Sequence, residues 1–210
     1  YSYVRDQLDA FDWYGVPRLG NREGELVPVG WRSERFDARR CETRWSSETP
    51  MRPSTSWNAN WPRPVTNIQL MDWHQDGTEI SVWNTHFDTG ETRRRVKSAE
   101  QLAEWVGDRE PCIVMGDFNA RIEDEPIRAL IGDGHLRDAR DVAADRIGPI
   151  STSHDFEGNH LNCIDHVFVS PDIDVTRFET VAKSEDGKYP SDHFPVVADA
   201  VFEISRKTCQ

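Results

Sequence analysis

Lysine is scarce in this chain: only Lys97, Lys183, Lys188 and Lys207 occur, so arginine supplies most of the 25 basic residues. Against them stand 37 acidic residues, for a net charge of −12. Such an acidic surface repels phosphate backbones and disfavours tight nonspecific nucleic-acid binding. Abundant acid with little lysine points to a halophilic protein from a salt-rich cytoplasm; the alternative is an ordinary acidic enzyme. Long apolar runs are absent, which excludes a membrane-spanning helix of about 20 residues. No basic start followed by an apolar stretch opens the chain. A cytoplasmic location is therefore expected, with secretion left open because a mature chain has already lost its leader. The four cysteines (Cys41, Cys112, Cys163 and Cys209) show neither a CxxC pair nor zinc-ligand spacing. Cys112 and Cys163 lie in apolar, strand-like contexts expected of buried thiols, and no disulfide is required. Repeats, low-complexity tracts and long linkers are also missing.

What remains is material for one folded domain, 1–210. Hydrophobic residues make up 37%, and eight Trp and nine Phe supply large side chains for a core. Short strand-like runs are expected at Leu26–Trp31, Asn67–Met71, Ile80–Asn84, Cys112–Met115, Asp165–Val169, Val175–Val181 and Val196–Ile204. From Val96, the apolar residues Ala99, Leu102, Ala103 and Val106 recur at helical spacing until Gly107. Glu125–Ile131 reads as a shorter helix, with Pro126 in its first turn. Between Arg44 and Pro64 a Trp-, Ser- and Pro-rich stretch reads as a long ordered loop, where Trp45 and Trp57 either line a cleft or pack beneath the loop.

The chemistry-bearing residues collect where strands begin or stop. His86 follows one apolar strand; Asp117 and Asn119 follow another, with Gly116 permitting a sharp turn. In extended backbone Asp117 and Asn119 would point the same way and offer hard oxygens to a cation. Asp165 and His166 open a further strand, and Asp192 and His193 precede the last one. Each taken alone has a bland explanation: a structural hydrogen bond, an Asx turn or a surface turn. Together they contain an acid/base candidate, a carboxylate to orient it and oxygen ligands for a metal. Arg93, Arg94 and Arg95 precede the helix and read as solvated or salt-bridged residues.

The runs NTHFD, GDFN, IDHVFVS and SDHFPV, in that order, resemble the signature of the endonuclease/exonuclease/phosphatase superfamily, whose fold is shared with deoxyribonucleases. EGELVPVGWRSERF resembles the family's glutamate-bearing strand, and RWSSETP with Ser-Thr-Ser-His-Asp-Phe resembles a bacterial and archaeal branch. The resemblance implies an α+β fold, a four-layer αββα sandwich, and hydrolysis of a phosphate mono- or diester, from a small molecule or a nucleic acid. It implies His193 as general base, Asp165 fixing its tautomer, and Asp192 as a metal ligand. Asp117 and Asn119 would hold the phosphate and nucleophile region, with Asp117 also binding a cation. His86, supported by Glu25, would contact a phosphate oxygen or protonate the leaving group. Mg²⁺ or Mn²⁺ would be the cofactor. His166 has two readings, a substrate contact or a strand side chain facing a neighbour.

The family begins with a strand carrying an Asn, a helix, and a strand ending in Gln-Glu, whose Glu is its principal metal ligand. Neither is found in 1–210. YSYVRDQLDAFDWYGV resembles the helix after that pair, followed by a strand at Trp13–Val16. The expectation is an N-terminally incomplete domain of low activity as given, with an uncovered sheet edge that another chain could pair with. A missing part supplied by another chain is an alternative. Another is a non-catalytic scaffold of the same fold that acts as a binding module.

Overall fold

The computed structural model describes residues 2–21, 23–109 and 111–202. Its strands are β1 (Phe11–Tyr14), β2 (Val29–Arg32), β3 (Phe36–Trp45), β4 (Pro64–Asp72), β5 (Thr78–His86), β6 (Cys112–Asp117), β7 (Arg137–Asp138), β8 (Asp145–Ile147), β9 (Asp165–Val169), β10 (Ile173–Thr180) and β11 (Val196–Phe202). Its α-helices are α1 (Ser2–Gln7), α2 (Thr92–Val106), α3 (Glu125–Ile131) and α4 (Ala139–Val142).

Six strands form the main sheet in the order β3-β4-β5-β6-β9-β7. Side chains alternate across a strand, so each central strand contributes to two cores. On one face Val65, Trp83, Val114 and Phe168 pack against Ala99, Leu102 and Val106 of α2 and Ile127 and Leu130 of α3. On the other, Ile68, Leu70, Ile80 and Val82 meet Val29, Trp31, Val175 and Phe178. These last four belong to two smaller sheets, β1-β2 and β11-β10-β8. Helices α2 and α3, the large sheet and the second sheet tier stack as three successive layers, in the order expected of the αββα fold; α1 buries none of its residues.

Several local expectations need correction. β5 runs on through His86 and β6 through Asp117, so both residues end strands rather than follow them. β3 was not anticipated because its sequence, FDARRCETRW, is half charged and half exposed. That is how an edge strand protects itself from pairing further, and it erases the apolar alternation. The first strand is Phe11–Tyr14, not Trp13–Val16. Arg93, Arg94 and Arg95 lie inside α2, not before it. Arg94 reaches Asp88 at 3.4 Å, and Arg95 donates to the carbonyls of Asp88 and Gly90. Cys41 is exposed and Cys163 half-buried, while Cys112 is buried; none of the three is in a disulfide. Ile204, Lys207 and Cys209 lie outside the described residues.

Candidate functional site

Strand register builds the first part of the site. β5 and β6 run parallel with His86 beside Asp117, and β6 and β9 run antiparallel with Asp117 beside Asp165. Three strand ends thus set a histidine and two carboxylates in one row. The row needs a glycine behind it: Gly116 has φ +145°, and a Cβ there would stand 2.0 Å from the Thr85 carbonyl oxygen. No L side chain fits that approach.

His193 joins from a loop. Its backbone bridges Ser153, and the next residue, Phe194, is buried and donates its N–H to the Thr152 carbonyl at 2.7 Å. Thr152 is the hinge of this arrangement, since its Oγ1 also accepts the N–H groups of Ile164 and Asp165 at 3.0 Å. One buried residue therefore ties the loop carrying His193, through its carbonyl, to the strand carrying Asp165, through its hydroxyl. The outcome is a 2.7 Å hydrogen bond between His193 Nδ1 and Asp165 Oδ2. That bond, more than any other influence, raises the His193 pKa above its usual 6.5.

At the other end His86 bridges two acids. Its Nδ1 bonds Glu25, and its Nε2 lies 3.3 Å from Asp117 Oδ2. Both ring nitrogens face carboxylate oxygens, of which a neutral imidazole can donate to one. Burial lowers the His86 pKa, and burial raises that of Asp117. Asp117 Oδ1 accepts the Asn119 N–H at 2.8 Å, and Asn119 Nδ2 donates to the Phe87 carbonyl at 3.0 Å. Asn119 has φ +48°, so Asp117 and Asn119 form a turn, not the extended pair expected. The turn leaves the amide oxygen of Asn119 as its open group.

Two expectations change. His166 is buried, with its Nδ1 3.2 Å from Asp138 Oδ2 and its Nε2 3.0 Å from the Ala120 carbonyl. It lines a cavity of about 540 Å³ with Arg121, Arg140 and Asn162, but both ring nitrogens are committed, which favours the neighbour-facing role over substrate contact. The three groups whose ligand atoms lie within 4.8 Å of one another are Asp117, Asp165 and His193. Asp192, expected as the leading metal ligand, is exposed and outside that trio. It acts on His193 through its charge, and its backbone carbonyl accepts the His154 N–H at 2.7 Å. The difference arises because strand register, not neighbourhood in sequence, gathers the trio.

Sequence reasoning missed Arg18, Arg63 and Thr152. Arg18 pairs with Glu25, and Arg63 lies 3.7 Å from both Glu25 and Asp88. All three missed residues sit in irregular segments without periodicity, so no local pattern marks them. Trp45 is buried and donates Nε1 to the Arg18 carbonyl at 2.9 Å, which places it beneath the loop.

A sequence model described as the Endonuclease/Exonuclease/phosphatase family matches residues 2–193. Among solved structures, an endonuclease/exonuclease/phosphatase family protein from Bacteroides thetaiotaomicron is 30% identical with a TM-score of 0.91, over 97% of this chain and 79% of that one. A mannosyl-6-phosphatase from the same organism is 30% identical with a TM-score of 0.86, over 96% of this chain and 80% of that one. The human nocturnin catalytic domain is 18% identical with a TM-score of 0.73, over 96% and 75%, and shares the fold. No match is found among the curated proteins.

Proposed function

This chain belongs to the endonuclease/exonuclease/phosphatase family, and we propose that it hydrolyses a phosphate ester with water, with Mg²⁺ or Mn²⁺ as cofactor. The observation that carries the reading is the Asp165–His193 hydrogen bond of 2.7 Å, set within one cluster with Asp117. A binding module has no need of an oriented imidazole beside two carboxylates. The His193 Nε2 is the face left to take a proton from water, while Asp165 holds the tautomer and stabilises the imidazolium that forms. Asn119 and Asp117 hold the phosphoryl region, and His86, supported by Glu25, contacts a phosphate oxygen or protonates the leaving group. Members of this family are hydrolases of phosphoesters, and the relative called a mannosyl-6-phosphatase favours a monoester substrate. The net charge of −12 also favours a small phosphoester over a nucleic acid.

The residues fit a divalent cation. Asp117 and Asp165 bring carboxylate oxygens close together, and Asp165 helps to raise the Asp117 pKa, a like-charge conflict that a cation relieves. Their hard oxygen donors suit Mg²⁺ or Mn²⁺. Asp117 would hold it, with Asp192 as a second carboxylate from the open side. When bound, it supplies neutralisation of charge building on the phosphoryl oxygens. The test uses a chromogenic phosphate ester. Chelation abolishes turnover, Mg²⁺ or Mn²⁺ restores it, and Asp117→Asn lowers kcat/KM by about 10²-fold or more. Undiminished hydrolysis under chelation would overturn the metal-dependent reading.

A further inference from the structure

We propose that Arg63 and Arg18 form a receptor for the terminal, dianionic phosphate of the substrate, making the site selective for phosphate monoesters over diesters; this rests on the hydrolytic reading above. Arg63 is only 6% exposed, yet its Nε has no hydrogen-bond partner among the described residues, and neither has the buried Nε of Arg18. The carboxylates nearest Arg63 stand at 3.7 Å, beyond hydrogen-bond reach. Burying a guanidinium with an idle donor is costly unless a ligand completes it. Its acids are already shared. Glu25 serves Arg18, Arg63 and His86, and Asp88 serves Arg63 and Arg94. Three guanidinium groups thus divide two inward carboxylates, and the remaining acid, Glu91, stands out in solvent. The Arg18 guanidinium lies over the Trp61 ring, 5.8 Å from its centroid.

This cationic corner adjoins the row of strand ends through His86, whose Nδ1 meets Glu25 and whose Nε2 meets Asp117. The site is polarised, with idle arginine donors on one side and Asp117, Asp165 and Asp192 on the other. A monoester dianion presents three non-bridging oxygens and two charges; a diester presents two oxygens and one charge. Planar guanidinium forks match the former.

The test compares wild type, Arg63→Lys and Arg18→Gln with p-nitrophenyl phosphate and bis(p-nitrophenyl) phosphate, in Mg²⁺ or Mn²⁺. Alongside, inorganic phosphate is titrated calorimetrically into the metal-free proteins. Both variants are expected to lose about ten- to a hundredfold in kcat/KM on the monoester, and less than about threefold on the diester. Phosphate affinity should fall in parallel. Equal losses on both esters, or unchanged phosphate affinity, overturn the proposal. If wild type cleaves neither ester, the hydrolytic reading fails, and the phosphate titration alone decides the receptor. Thermal unfolding checks each variant; should Arg63→Lys not fold, Arg18→Gln carries the same readouts.

Discussion

The chain contains the dipeptide Asp-His twice around the strand-end cluster, and the two copies play opposite parts. In Asp165-His166 the acid joins the cluster with Asp117 and the histidine is buried. In Asp192-His193 the histidine joins that cluster and the acid is exposed. Each histidine has an acid partner from a distant part of the chain: Asp138 for His166 at 3.2 Å and Asp165 for His193 at 2.7 Å. The partnerships resemble one another, yet their surroundings do not. His166 stacks on Phe168 at 5.5 Å and holds a backbone carbonyl, while Asp138 caps α4 by accepting the Arg140 and Asp141 N–H groups. His193 is tied to an acid through Nδ1. An identical pair of letters thus has both imidazole nitrogens bonded in one copy and a single carboxylate bond in the other.

The comparison breaks most visibly at His193. His193→Ala should lower kcat/KM by about 10²- to 10⁴-fold while leaving the melting temperature nearly unchanged. Steady-state kinetics with calorimetry check this, and a stable variant with near-normal rate would remove His193 from the chemistry. The mirror result is expected for His166→Ala. It strips the buried Asp138 carboxylate and Ala120 carbonyl of a partner and should cost about 2–4 kcal/mol of stability. Turnover per folded molecule should change by no more than a few-fold. Chemical denaturation would show it; a stable but inactive variant would move His166 into the site.

A smaller effect sharpens the comparison. The hydrogen bond from Asp165 keeps the His193 pKa above 6.5. A pKa raised by folding means that this pair stabilises the fold below the unfolded value of about 6.5, and that the contribution fades as pH climbs through the folded value. Asp165→Asn should therefore bring the His193 titration down, followed by NMR in the metal-free protein, and flatten that part of the stability profile. A titration that stays put would assign the shift to another neighbour, such as Asp117 or Asp192.

Much of the site is local enough to be legible in the letters. His86, Asp117 and Asp165 sit at the ends of apolar runs, and strand ends are where a rigid sheet presents side chains. Asn119 was legible as a residue but not in its geometry, because only the left-handed turn after Gly116 decides where its amide points. Arg18, Arg63 and Thr152 carried no signal, since irregular segments have no period for a side chain to stand out from. His166 shows the other limit: its burial depends on Asp138 and Ala120, which are 28 and 46 residues away.

The sequence by itself determined several of the strands and that chemistry-bearing residues would stand at their ends. Those properties follow from hydrophobic alternation and backbone sterics acting over a few residues. Only the tertiary structure decided which acid meets which imidazole, which member of each Asp-His pair joins the cluster, and where unsatisfied arginine donors gather. Such choices depend on sheet register and on loops crossing it, and contacts between distant segments have no local cause.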